Sequence, residues 1–192
     1  MNTIEISNEA NLPTKFGNFK MRSFKENRAN GALEHLVLKT ESLGKNPLVR
    51  IHSECLTGDT LFSLKCDCGG ELHIAMQKIA QEGGILIYLR QEGRGIGLFN
   101  KVNAYSLQDS GLDTVEANLK LGFKEDERDY SVVESIFKYY NLKEIRLLTN
   151  NPAKISNFAK FAKIEREPII VECNHHNKHY LEVKKEKMGH LF

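Results

Sequence analysis

Residues 72–89 read LHIAMQKIAQEGGILIYL, and a change of rhythm inside this stretch sets the fold class. Leu72, Ala75, Met76, Ile79 and Ala80 recur at helical spacing, so they share one face of a helix. Gly83-Gly84 supplies the stop. Ile85-Leu86-Ile87-Tyr88-Leu89 then reads as a buried strand.

Downstream, Gln91-Glu92-Gly93-Arg94-Gly95-Ile96-Gly97 is a glycine-rich turn, and a helix is expected from there through Leu107. A second helix is expected over Ser131 to Tyr140, with Val132, Val133, Ile136, Phe137 and Tyr140 on one side. Ile145 to Thr149 reads as a strand. Asn150-Asn151-Pro152 opens another helix, its proline suited to the first turn. A last strand is expected at Ile169-Ile170-Val171.

Upstream, Leu48 to His52 reads as a strand running into a cysteine-containing segment. The first 45 residues, with β-prone pieces such as Lys15 to Lys20 and Leu36 to Leu38, read as a small antiparallel sheet or hairpins. The expectation is an α/β fold: a mixed sheet with flanking helices and an N-terminal antiparallel β portion, in one domain over 1–192. The basic run Lys184-Lys185-Glu186-Lys187 is expected to be a solvated face.

Lys+Arg number 27 against 25 Asp+Glu, a net charge of only +2. That balance offers no electrostatic footprint for duplex nucleic acid or an anionic membrane, so neither is expected as a partner. A small anionic ligand needs only a few well-placed cations and stays allowed. Met1 to Glu5 lacks the basic and apolar regions of a secretory signal, and no apolar run is long enough to span a bilayer. A cytoplasmic location is therefore expected.

Cys55, Cys66 and Cys68 form a C-x10-C-x-C pattern. In a cytoplasmic chain such crowding suggests metal rather than disulfides. Thiolates suit zinc. Three protein ligands leave a fourth position for water, as in catalytic sites, but a fourth ligand such as His52 or Cys173 would close a structural site. The spacing alone admits both. Without further context Cys173 reads as a buried or idle thiol, and His52 as a core histidine.

The surroundings of the cysteines carry a resemblance. Arg50-Ile51-His52-Ser53-Glu54-Cys55-Leu56-Thr57-Gly58-Asp59, Phe62 to Gly69, Arg90 to Leu98, Asp113 to Asn118 and Leu147 to Pro152 with Lys154 resemble, in order, the signature blocks of GTP cyclohydrolase II. The resemblance runs from about Pro13 to Leu191. It implies one zinc per chain on Cys55, Cys66 and Cys68, magnesium with the triphosphate, and a homodimer.

By the same resemblance, GTP contacts fall on Arg50, Ile51, His52, Ser53 and Glu54, on Glu92, Gly93 and Arg94, and on Thr114, Thr149 and Lys154. Asp126 falls where the family has a proton acceptor, Arg128 where it has a nucleophile toward the α-phosphate, and Tyr105 where it has an active-site tyrosine. Guanidinium chemistry favours charge stabilisation for Arg128, since its pKa exceeds about 12. The implied reaction opens the guanine ring and releases formate and pyrophosphate, at the entry to riboflavin synthesis.

Position 71 departs from the pattern. The family's glutamine of the GTP site is here Glu71, which as a carboxylate only accepts hydrogen bonds and is expected to accept from guanine N–H groups. The reading from another class is a zinc-ribbon-like binding module with a structural Cys3His site. It calls for a basic face with interleaved aromatics, which this near-neutral chain without tryptophan does not display.

Overall fold

The computed structural model describes residues 3–191, His179 by its backbone alone; Met1 and Asn2 of the N-terminal reading lie outside the described residues. The strands are β1 (Thr3–Ile6), β2 (Ala10–Thr14), β3 (Gly17–Arg28), β4 (Gly31–Lys39), β5 (Leu48–Ser53), β6 (Gly84–Leu89), β7 (Glu144–Leu148) and β8 (Lys163–Glu167). The helices are α1 (Leu56–Asp59), α2 (Cys68–Glu82), α3 (Gly97–Asp109), α4 (Thr114–Lys120), α5 (Ser131–Tyr139), α6 (Pro152–Phe158) and α7 (Lys178–Glu186).

All eight strands form one mixed sheet in the order β1-β3-β4-β6-β5-β7-β8, with β2 also paired to β3. The N-terminal strands are antiparallel throughout, and β4 joins them antiparallel to β6. From β6 onward the neighbours are parallel. The expected division into an antiparallel portion and an α/β portion holds.

Alternation along β5 assigns the two faces. Val49 and Ile51 point with Ile85, Ile87 and Leu147 into a core closed by Val132, Val133, Ile136 and Phe137 of α5 and Phe158 of α6. Leu48, Leu86 and Leu148 face the other way, against Ala75, Met76 and Ile79 of α2. Of the helical positions expected from spacing, Ala75, Met76, Ile79, Val132, Val133, Ile136 and Phe137 are buried, and Leu72, Ala80 and Tyr140 are half-buried against the same cores.

Topology then locates a crevice. The chain passes from β5 through α2 to β6 on one side of β5, and from β6 through α5 to β7 on the other. Parallel crossovers keep a right hand, so reversing direction puts α2 and α5 on opposite faces. Ligands in open parallel sheets bind beyond the strand C-termini at such a reversal. Here that place is ringed by the ends of β5, β6 and β7.

Two expectations need correction. No strand forms at Ile169 to Val171. Asn150 Nδ2 donates to the Ile169 carbonyl, and Ile169 N–H donates to Asn150 Oδ1 at 3.2 Å, so a side chain satisfies the backbone that a neighbouring strand would have paired. The edge strand is β8 instead. The basic run at 184–187 is a solvated face only in part: Lys185, Glu186 and Lys187 are exposed, but Lys184 is buried on α7 and donates to both carboxylate oxygens of Asp67, at 2.6 and 2.8 Å. Lys187 pairs with Asp113.

Candidate active site

Beyond the end of β5 the chain turns into α1, and the three cysteines converge. Their sulfurs lie within 4.8 Å of one another, the only such metal-competent group among the described residues. Cys55 Sγ and Cys66 Sγ are 3.7 Å apart. That is too long for a disulfide and matches the edge of about 3.8 Å that a zinc–sulfur distance of ~2.3 Å gives in a tetrahedron. The donor set fits zinc.

Backbone packing makes the triangle possible. A Cβ on Gly58 would stand 2.9 Å from Cys66 Sγ and 3.2 Å from Cys55 Sγ, so only glycine fits behind the sulfurs. Asp59, which the sequence reading did not single out, ties the loop down. Its carboxylate accepts from Cys55 N–H at 3.0 Å, from Tyr88 OH at 2.7 Å and from His52 Nε2 at 3.0 Å. His52 is therefore turned to Asp59, as a core histidine rather than a fourth ligand. Cys173 is exposed and outside the triangle.

The cysteines line one wall of a solvent-open cleft. The same cleft is lined by Arg50, His52, Ser53, Glu54, Glu71, Glu92, Gly93, Arg94, Tyr105, Thr114, Arg128, Thr149 and Lys154. These residues come from segments spread over a hundred positions. Ile51 and Asp126 do not line it. The Ile51 side chain is in the core, and its carbonyl accepts from Lys154 Nζ at 2.7 Å. Asp126 stands behind Arg128, accepting from its Nε at 2.8 Å and its Nη2 at 2.5 Å.

The cations are held in unusual states for surface residues. Lys154, at the first turn of α6, is buried, and burial together with Arg50 and Arg128 holds its ammonium well below the usual lysine range. Arg128 is half-buried, a penalty that Tyr130 and Asp126 outweigh, so its guanidinium stays firmly charged. Arg50 donates from Nη2 to Glu71 at 2.6 Å and from Nη1 to the Leu148 carbonyl at 3.0 Å, leaving its buried Nε without a protein acceptor. Burial would raise the Glu71 carboxyl, but Arg50, Lys184, His52 and Lys154 bring it down to about 2. Near Tyr105, burial raises the phenol, whose oxygen is 3.5 Å from Thr57 Oγ1.

The glycine-rich turn carries Gly93 and Arg94 in the left-handed region, at φ 61° and 60°. Arg94 is a non-glycine residue there, local strain of the kind found at functional sites. Gly95 packs directly on the loop that carries Arg128: its Cβ would meet the Glu127 backbone at 2.9 Å. Glu127 N–H also donates to the Arg94 carbonyl at 3.0 Å. The turn thus fixes the 126–128 loop as well as presenting backbone to the cleft.

Lys101, Tyr180, Lys184 and His190 also line the cleft and were not expected from sequence. Lys101 had a legible signal, since it precedes Tyr105 by one helical turn on α3. The α7 residues had none, because their apolar pattern is thin.

A family model described as GTP cyclohydrolase II matches residues 5–165. A protein named GTP cyclohydrolase-2 from Helicobacter pylori (strain Shi470) is 61% identical over 191 residues, covering 100% of both chains. The same name belongs to relatives from Helicobacter hepaticus, 62% identical over 97% of this chain and 98% of its own, and Campylobacter hominis, 55% identical over 98% and 95%. Among solved structures, a two-domain 3,4-dihydroxy-2-butanone 4-phosphate synthase from A. baumannii aligns with a TM-score of 0.44 and 17% identity, over 88% of this chain and 41% of that one. That likeness is too slight to add to the argument. Full-length identity of 61% to a curated relative, together with the family match, makes this chain a member of GTP cyclohydrolase II, a family of hydrolytic enzymes.

Proposed function

We propose that the chain hydrolyses GTP to 2,5-diamino-6-ribosylamino-4(3H)-pyrimidinone 5′-phosphate, formate and pyrophosphate, the first committed step of riboflavin synthesis. One observation carries the reading: a three-thiolate metal centre and a set of buried cations line the same cleft. A nucleoside triphosphate needs both, one end presenting a ring to hydrolyse and the other about four negative charges. Zinc held by Cys55, Cys66 and Cys68 would supply Lewis acidity and lower the pKa of a coordinated water. Magnesium would arrive with the triphosphate, since it is seldom held by an all-protein cage.

The chain's own groups do the rest. Arg50, Arg94, Arg128 and Lys154 receive the phosphates, with guanidinium groups suited to bidentate contact. Lys154, deprived of charge stabilisation in the free cleft, gains it when an anion enters. Asp126 orients Arg128 through two hydrogen bonds, and the guanidinium so held stabilises charge at the α-phosphate. Its firmly charged state supports that role over a nucleophilic one. Burial pushes the Asp126 carboxyl up, but Arg128 outweighs it and keeps the group ionised, which makes it a firmer anchor for the guanidinium and a weaker proton acceptor. Tyr105, beside the cysteines, is a protonated donor toward the ring or the attacking water.

The test is a product inventory from GTP. Cys66→Ser should lose both bound zinc and formate, and Arg128→Ala should lose pyrophosphate. Formate release without zinc, or pyrophosphate release at the parent rate in Arg128→Ala, would overturn the corresponding assignment.

A further inference from the structure

The resemblance assigns Glu92 to GTP, yet its carboxylate is already committed within the protein. Oε1 accepts from Gly93 N–H and from Lys101 Nζ, both at 2.8 Å. Oε2 accepts from Leu56 N–H at 2.6 Å, on the residue that follows Cys55. Lys101 is the next link. It is buried on α3, and besides Glu92 it donates to Cys55 Sγ at 3.1 Å. Two of the three ammonium N–H groups are thereby used, and the nitrogen stands 5.6 Å from the centre of the Tyr105 ring.

We propose that Lys101 is a positioning residue of the metal centre: held by Glu92, its ammonium hydrogen-bonds the Cys55 thiolate and offsets the negative charge of the three sulfurs. The inference rests on the zinc reading above and goes beyond its ligand set. Three thiolates exceed a divalent cation by one negative charge, and a buried, uncompensated charge is costly. Lys101 is the ammonium in direct contact with a ligand sulfur, and it reaches that sulfur from α3, outside the cysteine segment. Glu92 then acts as a clasp, joining the cysteine loop, the glycine-rich turn and α3 at one carboxylate.

The experiment measures zinc affinity by competition with a chromophoric chelator in the full-length parent, Lys101→Arg, Lys101→Gln and Lys101→Met. Thermal melting of each is followed alongside, with the thiolate-to-metal charge-transfer band of the cobalt(II)-substituted proteins. Outer partners of metal ligands are worth about 10–100-fold in affinity. The zinc Kd should therefore rise tenfold or more in Lys101→Met, its cobalt band should move, and Lys101→Arg should restore both toward the parent. If Lys101→Met fails to fold, Lys101→Gln, which keeps a donor but no charge, carries the same expectation. A neutral variant that folds with the parent's zinc Kd and an unmoved band overturns the proposal. A parent that takes up no zinc overturns the zinc reading itself, and this inference with it.

Discussion

Glu71 shows how one residue can serve both stability and the site. Its contact with Arg50 is a buried charged hydrogen bond, and it helps hold that guanidinium in the cleft. Glu71→Gln keeps an acceptor but removes the charge, so it should cost about 1.5–3 kcal/mol near neutral pH, the worth of a hydrogen bond to a charged group. The pH dependence follows. The carboxyl ionises at about 2 in the fold against its ordinary 4.5. It therefore stabilises the fold above about pH 4.5, and that contribution is lost as pH falls toward 2. Urea unfolding of the parent and Glu71→Gln should differ most above pH 5 and converge at pH 2. Equal differences at both ends would remove the ion pair as the cause.

At the scale of single elements, α1 is the most constrained. Gly58→Ala should leave the sheet intact, because α1 lies outside both hydrophobic cores. It should nevertheless prevent stoichiometric zinc binding, since the new methyl occupies the space behind two ligand sulfurs. Circular dichroism with bound-zinc analysis checks both halves. On α5, Ile136→Ala removes a fully buried side chain and should cost about 2–5 kcal/mol with zinc retained.

The elements also differ in how far they could be read in advance. α2, α5 and β6 were legible because burial on a face imposes a period. β8 was not: KIERE has one apolar residue, Ile164, because an edge strand has little to bury. α4 was missed although Asp113 and Glu116 form a capping box, a local signal present in the sequence. In the site, the cysteines and cations were legible from motif and charge. Asp59 and Lys184 were not, because their importance lies in partners, His52 and Asp67, that only the fold brings near.

For the whole molecule, the homodimer that the resemblance implies is consistent with apolar side chains left on the surface. Phe62 is 83% exposed and Phe99 78%. Sedimentation at micromolar concentration should give a dimer, and a monomer would overturn the claim. No described helix is long and apolar enough to cross a membrane.

The place of β5 between β6 and β7 has a consequence for the chain as it is made. Synthesis delivers the N-terminal portion first, so β1 to β6 and all three cysteines of the triangle leave the ribosome while β7 is still unmade. In that interval β5 has a partner on one side only. Its other edge, apolar along Leu48, Val49 and Ile51, is the type of exposed strand that recruits a second nascent chain. Asp67, between two of the thiols in sequence, meanwhile waits for its partner, since Lys184 and α7 arrive last. For this fold, the hazardous moment is the wait of about forty codons between the end of α3 and the end of β7, when the cysteine triangle is complete and the sheet is not.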